Sequence, residues 1–125
     1  MTAVTLTRTS LKGRARTVLL WTLQMASAAL FLFSGTLKLS GAPMMVQMFG
    51  AIGLGQWFRY FTGGLEVISA VLLLVPSLAL FGALAMAVTM VGAILTHLFI
   101  IGGNPAVPIA LLAATTTVAW VRSRD

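Results

Sequence analysis

The sequence predicts an all-α integral membrane protein: a four-helix bundle with a short interfacial or re-entrant helix between its first and second spans. Three observations carry this. Of the 125 residues, 59% are hydrophobic and only 8% charged, where an ordinary soluble domain carries about 25% charged residues. The mean hydropathy is +1.04. The apolar residues fall into blocks separated by Gly- and Pro-rich breaks, with basic residues gathered at the two ends. A chain this short is one domain, and a soluble fold of its size cannot bury so much apolar surface.

The elements follow in order. Residues 1–16 are Thr-rich and basic, with Arg8, Lys12, Arg14 and Arg16, and read as a cytoplasmic tail that is disordered or lies on the membrane surface. From Thr17 to Leu37 no charge interrupts the chain, a length that spans the hydrocarbon core. The first span is placed at 17–38. Ala26-Ser27-Ala28 resembles a signal-peptide cleavage site, but the apolar run continues through Leu30-Phe31-Leu32-Phe33, which favours a retained helix. Ser40-Gly41-Ala42-Pro43 is a break. The Met-rich stretch 43–49 after it is too short to span and reads as the interfacial helix, closed by Gly50, Gly53 and Gly55.

The second span is placed at 57–76, ending on Pro76, and a tight turn leads to the third at 78–101. Ala79, Ala83 and Ala87, with Gly82 and Gly92, form a small-residue stripe on that third span, the kind of surface that lets membrane helices approach closely. Gly102-Gly103-Asn104-Pro105 makes a turn before the fourth span at 105–121, and residues 122–125 form a second short cytoplasmic end.

The net charge of +6 comes mainly from residues flanking the spans, Arg122 and Arg124 included. Basic flanks mark cytoplasmic ends, so both termini are expected inside a bacterial-type inner membrane. Trp21 and Trp120 then fall at the inner interface, and Trp57 and Tyr60 at the outer one, as interface anchors. No basic stripe interleaved with aromatics points to nucleic acid. The expected partners are the lipid bilayer and either other protein chains or further copies of this one.

With no cysteine and one histidine, the chain offers no thiolate catalysis or cysteine-held cluster and no metal site by spacing. Away from the ends, the ionisable residues are Lys38, Arg59, Glu66 and His97. Lys38 and Arg59 sit at span ends, where long basic side chains can snorkel to headgroups. Glu66 has no such escape. It lies seven residues after Arg59, on the same helical face and about 10 Å deeper, and a carboxylate there needs a partner. The topology puts all four in the outer half of the bundle, with Asn104 in the turn above and Ser34 and Thr36 one turn before Lys38. This predicts an outward-facing polar cluster of Lys38, Arg59, Glu66, His97 and Asn104 under the 43–49 segment.

Phe33-Ser34-Gly35-Thr36-Leu37-Lys38, the Arg59-Tyr60-Phe61-Thr62-Gly63-Gly64-Leu65-Glu66 stretch, and a third span closing on Thr96-His97 resemble the DoxX-like family over residues 18–121. The R-x-x-x-G-x-x-E pattern is the most specific element. The resemblance implies a four-helix membrane fold shared with DoxX and DoxD proteins, some of which are linked to thiosulfate:quinone oxidoreduction or to membrane complexes that handle oxidative stress. It assigns Lys38, Arg59, Gly63, Glu66 and His97 to the family's polar pattern but supplies no reaction. Two functions follow as expectations: a membrane subunit of a redox system that binds a quinone or lipid-like molecule, and a structural or accessory subunit. A proton or small-solute pathway through Glu66 ranks below both, because the inner half offers only Gln24 and Ser27. Catalysis by this chain alone is not expected, and neither is a cofactor held by it.

Overall fold

The computed structural model describes residues 3–124, with side chains from Gly13 onward. Among these residues the chain forms five α-helices: α1 (Ala3–Ser40), α2 (Pro43–Ile52), α3 (Gln56–Leu74), α4 (Ala79–Thr96) and α5 (Ala106–Arg122). Three stretches are long and apolar enough to cross a membrane: Gly13–Ser40, Gln56–Leu74 and Pro76–Ile101. The fourth expected span, α5, is a shorter apolar helix of 17 residues.

α1 differs from expectation at its start. The helix runs unbroken from Ala3, so the backbone from 3 to 16 continues the first span instead of forming an irregular tail. Nothing between Ala3 and Thr17 breaks a helix except Gly13, whose cost of about 1 kcal/mol neighbouring residues absorb. The other end is capped. Gly41, at φ +74°, takes the left-handed conformation and the Ala42 N–H donates to the Leu37 carbonyl at 3.1 Å, which satisfies an orphan helix-end carbonyl.

Buried positions on α1 are Leu20, Gln24, Ser27, Ala28, Phe31, Gly35 and Lys38, and on α3 Arg59, Gly63, Glu66, Ser69, Ala70 and Leu73. Both sets recur every three to four residues, so each helix turns one stripe inward. Two glycines set the α1–α3 distance. A Cβ on Gly63 would stand 2.9 Å from Lys38 Cβ and 3.1 Å from the Gly35 carbonyl, and one on Gly35 would stand 2.9 Å from the Gly63 carbonyl. Bare backbone at both positions brings the helices together where Lys38 and Glu66 must meet.

At the α3–α4 crossing, Gly82 faces the α3 backbone, where a Cβ would lie 2.6 Å from the Leu73 nitrogen. Ala79 and Ala83 are fully buried beside it, whereas Ala87 is partly exposed and Gly92 exposed. The small-residue stripe is therefore Ala79–Gly82–Ala83, continued by Met86 and Met90. Helical periodicity turns Ala87 and Gly92 away from that crossing.

One hydrophobic core joins α1, α3, α4 and α5 through Leu20, Phe31, Leu73, Met86 and Val118 among others. α2 stays outside it and packs across the bundle's end against α3 and the turn after α4. It extends through Gly50 to Ile52 and is capped by Gly53 at φ +85°, so Gly53, not Gly50, closes it. Only 33%, 33% and 28% of the three spanning windows is buried within the chain. The remaining apolar surface faces outward and needs lipid.

Candidate functional site

The polar residues of the spans converge at the end of the bundle that α2 covers. Lys38 projects from the last turn of α1 and Glu66 from the third turn of α3, with the close glycine contact between the helices beside them. Lys38 Nζ lies 3.0 Å from Glu66 Oε1 and donates to Glu66 Oε2 at 3.2 Å and to Ser34 Oγ at 2.6 Å. Both residues are buried, Glu66 with 2% of its surface exposed. A buried ion pair of this kind is tolerated because each charge compensates the other and further hydrogen bonds complete the shell.

Arg59 is also buried but does a different job from the one expected of it. Its Nη1 donates to the main-chain carbonyl of Lys38, its Nε donates to Gln56 Oε1 at 2.8 Å, and its guanidinium stacks 4.3 Å from the Tyr60 ring centroid. It does not line the cavity described below. Arg59 caps the carbonyl end of α1, where a cation is favoured by the helix dipole. Gln56 donates in turn to the Val46 carbonyl at 3.1 Å, which ties α2 to the start of α3.

His97 opens a π-helical turn, His97–Ile101, that ends α4. Such turns occur at functional positions more often than elsewhere in helices. Nδ1 lies 2.8 Å from the Ala93 carbonyl. Because a carbonyl only accepts, Nδ1 carries the proton of this bond and Nε2 is left for other partners. Asn104 is not part of the cluster. It is exposed, and its Oδ1 accepts from the Ala106 N–H at 3.0 Å, an Asx turn that leads the chain into α5. Thr36 is exposed and donates to the Leu32 carbonyl; of the two hydroxyls before Lys38, only Ser34 joins the ion pair.

Between the helices and beneath α2 lies a cavity of about 450 Å³, within the size range of small-molecule sites. Lys38, Glu66, Ser34, Thr62, Thr96 and His97 form its polar wall. Met45, Met48, Phe49 and Ile52 of α2 roof it, and Phe31, Leu65, Met90 and Leu111 line the apolar remainder. The Phe49 and Phe58 rings, 5.8 Å apart, seat the roof on α3. Lys38, Glu66 and His97 thus share one cavity. No group of three or more His, Asp or Glu gathers as a metal-holding set among the described residues.

A second polar layer sits at the opposite end. Gln24, fully buried, donates to the Leu73 carbonyl at 2.8 Å and accepts from Arg122 Nε and Nη2 at 3.0 and 2.7 Å. Arg122 also lies 5.5 Å from the Trp21 ring, and Arg124 lies 4.8 Å from the Trp120 ring. From sequence, Gln24 and Ser27 read as the polar residues of the inner half and Arg122 as a flanking charge, with nothing joining them. The available signal was spacing: Gln24 lies 14 residues before Lys38, nearly whole turns away on the same inward stripe. Trp57 and Tyr60, both largely exposed, stand at the Lys38 end, and Trp21 and Trp120 at the Arg122 end.

The family model described as the DoxX-like family matches residues 22–120, which contain every member of the polar cluster and both glycines of the α1–α3 contact. No curated protein and no solved structure matches the chain. With the helical architecture and the Lys38–Gly63–Glu66–His97 arrangement in place, that match over most of its length shows that the chain belongs to the DoxX-like family of membrane proteins.

Proposed function

We propose that this protein is a four-span inner-membrane subunit of a redox system, holding a quinone or a similarly amphipathic molecule in the cavity beside the Lys38–Glu66 pair. The observation that carries the proposal is the cavity's polarity: a mostly apolar chamber with its charged groups and its histidine gathered at one end. A quinone carbonyl accepts from the Lys38 ammonium or a threonine hydroxyl, while Glu66 and the His97 Nε2 can accept from the hydroxyl of the reduced quinol and take its proton. Electrons come from a partner chain or a soluble cofactor, since no side chain here is an electron carrier.

The fourth crossing is supported by where α5 begins and ends. Val107 and Pro108 line the cavity while Arg122 bonds Gln24 at the far end, so α5 covers the same depth as the α1 segment between Gln24 and Lys38. With Arg14, Arg16, Arg122 and Arg124 gathered at the Gln24 end, the positive-inside rule puts both termini in the cytoplasm and the cavity in the outer leaflet.

Binding of radiolabelled decylubiquinone to the purified protein in nanodiscs tests the site. Glu66→Gln removes the charge that holds the Lys38 ammonium in place, and His97→Ala removes the ring from the polar wall. Each is expected to weaken binding about tenfold, the scale of one disrupted charge-assisted hydrogen bond. Binding unchanged in both variants sinks the proposal.

A second reading, an accessory subunit without a ligand, is favoured by one feature: the Lys38–Glu66 pair and the bond from Arg59 to the Lys38 carbonyl run between α1 and α3 and fix their register. Its test is co-purification in mild detergent. A chain that migrates alone argues against obligate assembly.

A further inference from the structure

The cavity is not closed on all sides. Its roof is shut by α2, but Leu30 and Phe33 on α1, Val88 on α4 and Val107 on α5 line it while remaining 50%, 67%, 71% and 62% exposed. Gly92 of α4 also lines it, and a Cβ built there meets nothing within 4 Å. With Phe61 of α3, 59% exposed, these residues put part of the cavity wall on the outward surface of the bundle, where the cavity opens. Leu30 lies eight residues before Lys38, about 12 Å down α1, and Val88 nine residues before His97, about 14 Å down α4. From Val107 at the roofed end, the exposed wall therefore reaches down to the depth of the hydrocarbon core at Leu30 and Val88, on the flanks of two helices that are long and apolar enough to span it.

From this geometry we infer that the ligand is a membrane-dissolved amphiphile with an uncharged polar head and a single hydrocarbon tail, and that it enters sideways from the lipid. Three features fix that class. The Lys38–Glu66 pair is internally neutral, so the head end has no net charge to match an ion, and a charged head would pay desolvation without compensation. The charged groups and the imidazole are at the roofed end, and the one polar side chain lower in the wall, Thr89, spends its hydroxyl on the Ala85 carbonyl, so the head sits under the roof. The opening is lined by apolar side chains alone, so a tail leaving through it passes from apolar wall to lipid without exposing polar backbone. The aqueous face is blocked by α2, whose Phe49 is buried and whose Val46 carbonyl is held by Gln56.

The inference rests on the reading of the cavity as an amphiphile site and adds its route and the build of its ligand. It is tested with Gly92→Leu, which places a side chain in open space at the rim, and with Gly64→Leu as control; Gly64 is on α3, away from the cavity, and its Cβ also meets nothing within 4 Å. Rapid-filtration binding to nanodisc-embedded protein compares decylubiquinone with its tail-less parent benzoquinone. Gly92→Leu is expected to slow association of the tailed molecule about tenfold more than that of the parent, while Gly64→Leu behaves as the unsubstituted protein. Equal slowing of both molecules by Gly92→Leu, or none, overturns the lateral route while leaving the site itself standing. If neither molecule binds the unsubstituted protein, the amphiphile reading fails and the route fails with it. Sodium laurate and dodecylammonium serve as charged-head probes; displacement of decylubiquinone by either at equal concentration overturns the uncharged-head assignment.

Discussion

Lys38 and Glu66 form the least replaceable pair in the chain, because each is buried and depends on the other. Glu66→Ala leaves an ammonium enclosed with only Ser34 for company, at a cost of about 3–5 kcal/mol, whereas the double variant Lys38→Met/Glu66→Leu removes both charges and is expected to recover most of that stability. Unfolding in mixed detergent micelles distinguishes the two; a double variant as unstable as the single one contradicts the pairing. The need for a partner was legible in the sequence, since a carboxylate seven residues beyond Arg59 and well inside a span has to find a cation. The identity of that cation was not. Arg59 shares a helical face with Glu66 and was the nearer candidate along the chain, yet its reach is spent on the carbonyl of Lys38. Only the three-dimensional course of α1 decides between the two bases. Asn104 shows the same limit: a turn asparagine close to a polar cluster in sequence is claimed by the nearest helix start, because a local bond to a main-chain N–H costs little entropy.

At the level of helices, the crossings are made by glycine, and not every glycine matters. Gly82→Ala drives a methyl into the backbone of Ser69, Leu72 and Leu73 at 2.6–3.0 Å and is expected to lower stability by about 1–3 kcal/mol. Gly64→Ala, with open space around it, is expected to be neutral or to gain up to about 1 kcal/mol from helix propensity. The same micelle unfolding measures both, and a neutral Gly82→Ala contradicts the close α3–α4 approach. Composition identified the small residues of the third span but could not tell which of them faced α3. The spacing Ala79, Ala83, Ala87 is helical, but so is Ala79, Gly82, Met86, and only contact with a neighbour selects between them. The α2 helix was easier to read, because a proline start, an apolar run too short to span and a following glycine fix its limits to within a few residues.

For the whole molecule, the absence of cysteine makes topology directly measurable. Single cysteines at Leu54, in the exposed turn after α2, and at Ser123 are expected to respond oppositely to a membrane-impermeant maleimide in intact cells. Leu54→Cys labels without permeabilisation and Ser123→Cys only after it. Labelling of Ser123→Cys in intact cells refutes the four-span orientation. Hydropathy alone located the long helices, but the shorter α5 depends on a partner: its last turn is held by Gln24, 98 residues earlier, a distance no local pattern reveals. Arg122→Ala is accordingly expected to speed amide hydrogen exchange in the last turns of α5 while leaving α3 unchanged.

The double hold of α3 on one residue of α1 has a mechanical consequence. Glu66 takes the ammonium of Lys38 and Arg59 takes its carbonyl, so side chain and main chain of a single residue are secured from two points two turns apart. A helix held at one such point can swivel; held at both, it can neither rotate nor slide without breaking a buried bond. The α1–α3 pair then acts as the fixed half of the protein, and breathing of the chamber falls to the parts without that restraint: the α2 roof between its two glycine-flanked ends, the π-helical turn at His97, and the first turns of α5. Any gate in this molecule opens on that side.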